Sequence, residues 1–500
     1  MKDSAWERLG SYLKETQILG SIQNTLYWDQ NTVMPKQGAL WRAEQLAYMA
    51  KKLHQRNSSK ELDELIKLAE EELIDSERIQ KNKNLCKRKN IRLLNQELNR
   101  QRKLDPILVE KLAGAKSQGY ESWQEAKKHS DFKIFLPCLK ELIRLRIEEA
   151  KQISSELSPW ETLAQPYEPD ISKKLLSQIF TPLKETIPIL LENIRLSNEE
   201  KWDLDPSSQK DLCSKLLDEF GREQELIAVA ESPHPFSITL GPRDFRITTR
   251  LVEGKPFSSF LATAHEWGHS LYEQGLPSET HQWFAWPLGQ ATSMAVHESQ
   301  SLFWENRIVK SKAFSKSFFR YFVENGCPLL DYQKMWRAMN MIRPGLNRVE
   351  ADEITYGLHI LIRTELEIAL IEEGLDPSDL PYEWNERYKR LLGIKPTNDS
   401  VGCLQDVHWS EGAFGYFPSY LLGHVISAQI SYELEKEIGS IDDLIENRDY
   451  KKIISWLKTN IHSHGRSVNA MELVKKVSHE DISPDYFINY LKKKITQLDF

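Results

Sequence analysis

The chain has 500 residues, of which 40% are hydrophobic, and a formal net charge of -7 at pH 7. This acidic balance argues against a nucleic-acid partner, because no basic surface dominates. No run of about 18 apolar residues is present, so we expect no membrane-spanning helix. Five scattered cysteines without a Cys-x-x-Cys pair, and an N-terminus without an apolar signal core, favour a cytoplasmic protein with reduced thiols.

From Trp6 to about Val229 the sequence predicts one helix after another. Apolar residues recur at helical spacing, with glutamate and lysine on the remaining positions. Proline or turn signals separate the helices at Met34-Pro35, Asp105-Pro106, Ser158-Pro159, Tyr167–Asp170 and Asp205-Pro206. We therefore expect residues 1–230 to form a helical lobe.

The pattern changes after Ser232. Residues 237–240 alternate in character, as do Phe245, Ile247 and Thr249, and Gly241-Pro242 lies between the two stretches. Two short strands joined by a turn predict a small antiparallel sheet at about residues 237–252. Since these strands lead directly into the next helix, we expect the sheet to line one wall of a cleft.

That next helix contains the motif His-Glu-x-x-His at residues 265–269. His265 and His269 are four residues apart, so both imidazoles leave one face of the helix and can bind one metal ion. Glu266 is displaced around the helix, where its carboxylate can reach a water molecule at that ion. The alternative is an amphipathic helix with two surface histidines and an ordinary glutamate.

A third metal ligand is expected on a further helix, predicted from about Gln290 to Val309. A catalytic zinc site uses three protein ligands and keeps one position for water, whereas a structural site closes with a fourth protein ligand. Glu298, 29 residues after His269, is the first candidate and His297 is its rival. Two neighbouring residues of one helix cannot both face the metal, so we expect the other to support the site from outside.

Six short motifs follow one another along the chain, and they are His234-Pro235-Phe236, Asp244–Thr248, His265–His269, His297–Gln300, Arg348–Asp352 and Gly402–Trp409. In this order and at these spacings the sequence resembles the carboxypeptidase Taq family of metal-dependent carboxypeptidases. Weaker matches near both ends extend the resemblance over nearly the whole chain. Asn347 and Lys310 depart from the family pattern, which has Ile or Val and Arg at these places, but neither is expected to touch a ligand.

We accordingly expect a mainly α fold: a large single domain over residues 1–500 with a deep active-site cleft and a small antiparallel sheet beside the zinc helix. Residues 231–500 would carry the zinc site and the substrate-binding groups. The resemblance implies a zinc-dependent metallocarboxypeptidase that releases single C-terminal amino acids from peptides with broad specificity. It also implies a homodimer, and Co2+ or Mn2+ can take the place of Zn2+.

The resemblance also assigns roles to individual residues. His265, His269 and Glu298 would hold the metal, and Glu266 would take a proton from water and pass it to the leaving amine. The terminal carboxylate of a substrate requires a cation, for which the planar fork of arginine is suited. Arg348 is the first candidate for this role. Arg246 is the second, with a salt bridge to Asp244 as its alternative.

The segment 408–420 supplies further candidates. Tyr416 and His408 would donate hydrogen bonds to the oxyanion, against the alternative of a buried aromatic residue and a neutral core histidine. His234 and Tyr420 complete the expected substrate-binding set. Four more residues are expected only to support the structure, and these are Asp352 and Gln405 near the site, and His462 and His464 at an exposed helix end.

Three functions compete at this stage. The first is an exopeptidase that releases C-terminal amino acids, and the second is a zinc endo- or oligopeptidase, which needs no carboxylate-binding arginine. The third is a non-catalytic helical scaffold that keeps a metal for stability or for a partner. Glu266 argues against the scaffold, because a structural site has no use for a base beside the metal.

Overall fold

Helices dominate the structure, a computed structural model that describes residues 3–77, 85–192, 194, 202, 204–277 and 283–498. Twenty α-helices are found in these residues, and they are, in chain order, α1 (Ala5–Thr32), α2 (Ala39–Asn57), α3 (Lys60–Glu77), α4 (Leu85–Arg102), α5 (Pro106–His129), α6 (Phe132–Ile153), α7 (Pro159–Ala164), α8 (Lys173–Glu192), α9 (Pro206–Glu219), α10 (Pro256–Gly275), α11 (Met294–Leu302), α12 (Lys312–Glu324), α13 (Tyr332–Met339), α14 (Glu353–Ile371), α15 (Leu380–Leu392), α16 (Pro418–Ile438), α17 (Ile441–Glu446), α18 (Tyr450–Asn460), α19 (Ala470–Ser478) and α20 (Asp485–Leu498). The mainly α fold predicted from the sequence is confirmed. None of the described helices is long and apolar enough to cross a membrane.

The proline signals mark helix starts as predicted. Asp105 and Asp205 cap α5 and α9 through their side chains, and Ser158 caps α7 in a reciprocal capping box with Glu161. Each of these helices has proline at its first position, where the missing backbone N–H removes no hydrogen bond. The chain therefore turns at these points for local chemical reasons that the sequence displays.

The sheet has three strands, β1 (Ile227–Glu231), β2 (Ser237–Gly241) and β3 (Asp244–Thr249), in the order β1-β3-β2. β2 and β3 pair antiparallel, as predicted, but β1 pairs with β3 in parallel. The antiparallel pair predicted at about residues 237–252 is therefore confirmed, whereas the prediction of helix up to Val229 was wrong and missed the parallel strand β1. The two alanines of β1 favour helix locally, and pairing with a strand about 18 residues away overrides that preference.

The helix predicted from Gln290 to Val309 is shorter and less regular than expected. It begins at Met294, where Ser293 caps the first turn by accepting from the Val296 N–H. After Leu302 the chain continues as a π-helix from Phe303 to Val309. A π-helix carries one extra residue in its turn, and such segments are frequent at functional sites.

Three hydrophobic clusters are buried in the described residues, and the smallest consists of Leu108, Leu112 and Leu145. The largest runs from Ala126 to Ile495, so residues on both sides of position 230 share it, and the division into two lobes stays a prediction. The second is formed by α1, α3 and α4 and is closed by Trp286, whose ring stacks on Trp6 with centroids 4.1 Å apart. The N-terminal helices also meet the sheet, because Asn24 Nδ2 donates to the Thr239 carbonyl.

Candidate metal centre and active site

Helix α10 presents His265 and His269 from one face. The opposite face is fixed in the core by Trp267 and Leu271, which are both buried. The two imidazole rings lie with centroids 4.9 Å apart, nearly perpendicular to each other. Because the helix is anchored by its apolar face, the two Nε2 atoms are held at a fixed separation.

Glu298 of α11 faces both histidines. Its Oε2 atom lies 3.6 Å from His265 Nε2 and 3.4 Å from His269 Nε2, and ligand atoms of all three residues lie within 4.8 Å of one another. Donors about 2.1 Å from one tetrahedral ion lie about 3.4 Å apart, so these distances fit a single ion of zinc size. Two imidazole nitrogens and one carboxylate oxygen also form the donor set typical of catalytic zinc.

His265 is oriented by a carboxylate behind it. Its Nδ1 lies 2.9 Å from Glu305 Oε2, and Lys310 Nζ donates to the other oxygen of Glu305 at 2.7 Å. An Nδ1–H donated to Glu305 leaves the lone pair of Nε2 free for a metal. Lys310, which departs from the family pattern, therefore acts on the site through Glu305 without touching a ligand.

His269 is supported by a different group, the imidazole of His297. The two Nδ1 atoms are 2.6 Å apart, and His297 Nε2 lies 2.9 Å from Glu273 Oε1. If Nε2 of His269 binds the metal, its Nδ1–H donates to His297, whose Nε2–H then donates to Glu273. Thr239 of β2 donates to the second Glu273 oxygen at 3.3 Å, so the chain of contacts ends on the sheet.

These contacts separate the two rival residues of the sequence analysis. Glu298 offers its oxygen to the space between the two Nε2 atoms, whereas His297 contacts His269 from its outer side. Neighbouring helical residues diverge by about 100°, which accounts for the two directions. The geometry therefore supports Glu298 as the third ligand and His297 as a positioning residue.

Glu266 is buried beside the ligands and makes no hydrogen bond to a described residue. Burial raises the pKa of its carboxyl to about 7, against the opposing charge of His265. At His265, burial opposes protonation, but the carboxylates of Glu298 and Glu305 outweigh it and raise the pKa to about 10. A buried carboxylate without a partner, next to a metal site, is placed to accept a proton.

Arg348 lies in a second cluster that adjoins the first. It is buried, and it donates from Nε to Asp406 Oδ1 at 2.9 Å and from Nη1 to the Tyr356 hydroxyl at 3.2 Å. Arg363 pairs with the other Asp406 oxygen at 2.6 Å. Among the described residues none accepts a hydrogen bond from Nη2 of Arg348, so one edge of the guanidinium is available.

The aromatic candidates surround this arginine. The guanidinium lies 5.1 Å from the Tyr420 ring centroid, and the His408 and Tyr416 rings lie 5.2 Å apart. Tyr420 is one helical turn before Gly423, at which α16 touches Glu298. The structure therefore brings His408, Tyr416, Tyr420 and Arg348 together, next to the helix that contacts the third ligand.

Arg246 and His234 lie elsewhere, on or beside the sheet. Arg246 forms a two-point ion pair with Asp244, at 2.8 and 2.9 Å, and its guanidinium lies 5.5 Å from the Trp28 ring centroid. His234 is exposed, and no contact joins either residue to Arg348. The alternative given for Arg246, a salt bridge to Asp244, is what the structure contains.

The remaining polar candidates have structural roles. Asp352 caps the N-terminus of α14, and Gln405 accepts from Arg348 N and Arg363 Nη2. His462 is buried, not at an exposed helix end as expected, because Gly275 leaves space for its ring beside α10. Its Nε2 pairs with Gln300 Oε1 at 3.0 Å.

Several residues of the site were not assigned a role from the sequence. Glu273 is four residues after His269 and Glu305 is seven after Glu298, so helical spacing was a usable signal for both. Tyr356 and Arg363 gave no signal, because tertiary packing alone brings α14 to Arg348.

Comparison with known proteins agrees with this geometry. A model of the carboxypeptidase Taq (M32) metallopeptidase family matches residues 8–495. The chain is 35% identical to thermostable carboxypeptidase 1 of Thermus thermophilus, with 99% of each chain covered. It is 32% identical to carboxypeptidase 1 of Bacillus subtilis, with 95% of this chain and 94% of the relative covered. A crystal structure of an M32 carboxypeptidase from Deinococcus radiodurans matches with a TM-score of 0.93 and 27% identity over 99% of both chains.

Proposed function

Since the chain belongs to the carboxypeptidase Taq (M32) family and is a metallocarboxypeptidase, we propose that it releases single C-terminal amino acids from peptides at a zinc site formed by His265, His269 and Glu298. The observation that carries this proposal is the convergence of the three ligand atoms beside the unpartnered carboxylate of Glu266. When bound, the metal supplies Lewis acidity that activates water and polarises the scissile carbonyl. Co2+ or Mn2+ can replace Zn2+ in this proposal.

Glu266 is the proposed general base. It accepts the proton of the attacking water and returns it to the nitrogen of the departing amino acid. Its buried position beside the ligands places it where a carboxylate can reach a water molecule at the ion. No hydrogen bond to a described residue has to be broken for the carboxylate to act.

Arg348 is the proposed partner of the substrate's terminal carboxylate. Asp406 and Tyr356 fix two of its nitrogens, and the third is available for a charge-assisted hydrogen bond. Burial and the neighbouring Tyr420 raise the pKa of Tyr416 well above its usual value, so the phenol remains a donor for the oxyanion. Burial lowers the pKa of His408 to about 4, so its imidazole is neutral near pH 7.

A time course on one defined peptide, followed by mass spectrometry, distinguishes this function from its alternatives. We expect a ladder of products that lack one, two and then more C-terminal residues. Internal fragments would favour an endo- or oligopeptidase, and an unchanged peptide in the presence of Zn2+ or Co2+ would favour a non-catalytic scaffold. Broad specificity predicts that peptides differing only in the last residue give similar ladders.

Substitution of Glu266 tests the proton transfer. Glu266→Gln removes the base and leaves all three proposed ligands, so metal content should stay near normal while turnover falls by about 10²- to 10⁴-fold. His269→Ala is the control, because it should lose metal and activity together. Wild-type turnover in Glu266→Gln would show that another group accepts the proton.

The homodimer and the cytoplasmic location stay predictions.

A further inference from the structure

A cavity of about 660 Å³ lies outside the residues assigned so far. Helices α4, α5 and α6 form its walls together with the segment Glu411–Ala413. This volume is in the range of ligand sites and exceeds what a single small ion needs. The charged side chains that line it are Arg100, Lys116, Arg146, Glu149 and Glu411.

Positive charge is in excess on this lining. Arg146 forms a buried ion pair with Glu149, which leaves Arg100 and Lys116 against the single exposed carboxylate of Glu411. Arg100 makes one hydrogen bond, to the Thr162 carbonyl at 3.2 Å, and no described residue accepts from Lys116 Nζ. The carboxylates that line the cavity therefore do not neutralise all of its positive charges.

Arg146 also has an unused donor. Only 9% of its side-chain surface remains exposed, and its Nε has no hydrogen-bond partner among the described residues. Both Arg146 and Lys116 run over Gly412, where an added Cβ would lie 3.5 Å from Arg146 Cδ and 3.6 Å from Lys116 Cε. A buried donor without an acceptor is costly, and an anion in the cavity would remove that cost.

The protonation of the cations points the same way. Lys116 remains partly open to solvent, but the protein atoms around it desolvate its ammonium group and lower its pKa, and the charge of Arg146 adds to this effect. Burial likewise lowers the pKa of Arg100, against the opposing charge of Glu149. Loss of hydration is the main cause at both residues, and an anionic ligand would compensate the cations for it.

The cavity adjoins the proposed active site through Tyr167. This residue lines the cavity, and its ring meets that of Tyr416 with centroids 5.0 Å apart. Gly412 and Ala413, on the cavity wall, belong to the same segment as His408 and Tyr416. A peptide bound at the active site can therefore extend a side chain toward these cations.

We propose that this cavity is a subsite for a carboxylate side chain, aspartate or glutamate, of the bound peptide, with Lys116, Arg100 and Arg146 as its binding groups. This assignment rests on the proposed peptide-binding function of the adjoining site. A free dicarboxylate has the same chemistry, but the shared wall at Tyr167 favours the peptide.

The test is a glutamate scan with matched glutamine peptides. Decapeptides that carry one Glu at successive positions, or Gln in its place, are titrated against the Glu266→Gln protein, whose low turnover should leave them intact during the measurement. At one position the Glu peptide should bind about 10- to 100-fold more tightly than its Gln counterpart, the range expected for charge-assisted hydrogen bonds. Lys116→Gln, added to the same protein, should reduce that ratio to near one, and Arg100→Gln should reduce it partly.

Lys111→Gln is the matched control, because Lys111 is exposed on the same helix α5 but does not line the cavity. It should leave the ratio unchanged, and an equal reduction would mean that general surface charge is responsible. Equal binding of Glu and Gln peptides at every position overturns the subsite and leaves the peptidase proposal intact. Tighter binding of a Glu peptide without release of C-terminal residues by the wild type supports the subsite and contradicts the peptidase proposal. If Glu and Gln peptides bind alike, glutarate whose binding is lost in Lys116→Gln but kept in Lys111→Gln would assign the cavity to free dicarboxylates instead.

Discussion

At the scale of single residues, each proposed ligand histidine is held by a different kind of partner. His265 donates to Glu305, a carboxylate that Lys310 also contacts, whereas His269 meets the imidazole of His297 before a carboxylate is reached at Glu273. A direct carboxylate increases the electron density of its imidazole more than a second imidazole does. Both imidazoles are therefore held in a fixed orientation, but they differ in basicity.

Arg348 leads to a prediction about substrate termini. Arg348→Gln should lower kcat/KM on free-acid peptides about 10- to several-hundred-fold, because a charge-assisted hydrogen bond of about 1.5–3 kcal/mol is lost. C-terminally amidated peptides lack the charge and should lose much less. The measurement is kcat/KM for acid and amide forms of one peptide.

Asp406 keeps its ion pair with Arg363 in this variant, so the local fold retains one of its two supports. Arg246→Gln is the control and should leave the acid-to-amide ratio unchanged, since Arg246 is paired with Asp244 on the sheet. If Arg348→Gln lowers kcat/KM equally for both peptide forms, Arg348 stabilises the fold and does not bind the terminal carboxylate of the substrate.

At the scale of elements, α11 is packed between α10 and α16 at backbone distance. A Cβ on Gly268 of α10 would lie 2.4 Å from the Gln300 carbonyl oxygen, and a Cβ on Gly423 of α16 would lie 2.8 Å from Glu298 Cγ. Real side chains do not approach this closely, so both positions require glycine. Glu298 is thereby held between two helices, and the direction of its carboxylate depends on the distance between them.

Gly423→Ala should consequently disturb the metal site from a neighbouring helix. The added methyl group must displace Glu298 or α16, which should weaken zinc binding by about 10- to 100-fold, as displaced supports of ligands do, and cost about 1–3 kcal/mol of stability. Competition with a chromophoric chelator measures the affinity.

Gly114→Ala is the matched control, because Gly114 lies within a helix and a Cβ there meets nothing within 4 Å. This variant should bind zinc normally and be slightly more stable, by about 0.5–1 kcal/mol. Normal zinc affinity in Gly423→Ala would mean that the helices can separate without moving Glu298.

His462 leads to a prediction about pH and stability. Burial lowers its pKa to about 3, from 6.5, and the nearby charges of Lys458 and His297 act in the same direction. Below about pH 6.5 His462 therefore binds a proton in the unfolded chain but not in the folded chain. Its contribution to the free energy of unfolding is complete above pH 6.5 and is lost as the pH falls toward 3.

His462→Gln keeps a donor for Gln300 but cannot titrate. The wild type should lose its stability advantage over this variant by about 1.4 kcal/mol for each pH unit below 6.5. Unfolding midpoints measured from pH 7.5 to 4.5 check this, with His129→Gln at an exposed position as control. A difference that is independent of pH would mean that His462 is protonated in the folded protein.

At the scale of the whole molecule, the parts predicted from sequence are those that local chemistry determines. The helices were predicted from the spacing of their apolar residues and from their proline starts, and strands β2 and β3 from the alternation of their side chains. The shared face of His265 and His269 was predicted from their separation of four residues. Strand β1 was not, because its partner is distant in the chain. The contact of Arg348 with Arg363 through Asp406 was not either, since it depends on how α14 packs against the segment 402–409.

The metal should matter for the stability of the whole chain as well as for activity. The three proposed ligands come from two helices, so an ion would bind the folded state and not the unfolded one. At 100 times its Kd it would stabilise the fold by about 2.7 kcal/mol. Chelation should lower the thermal unfolding midpoint and abolish activity, and Zn2+ or Co2+ should restore both.

Glu298→Gln is the control for chelation, because it should weaken the site and make the unfolding midpoint insensitive to chelator. A wild-type midpoint that does not move while activity is lost would mean that the ion acts in catalysis alone.

The π-helix from Phe303 to Val309 makes the site sensitive to the deletion of a single residue from this segment. One residue fewer in this segment would let it close as an ordinary α-helix, and everything after the deletion would turn by about 100°. Glu298 precedes the segment and would keep its direction, but Lys310, which follows it, would swing away from Glu305. A protein of this fold that lacks that single residue would retain the three ligand positions and lose part of the support behind His265. The spacing of the π-helix, and not only the identity of its residues, therefore determines the support behind His265.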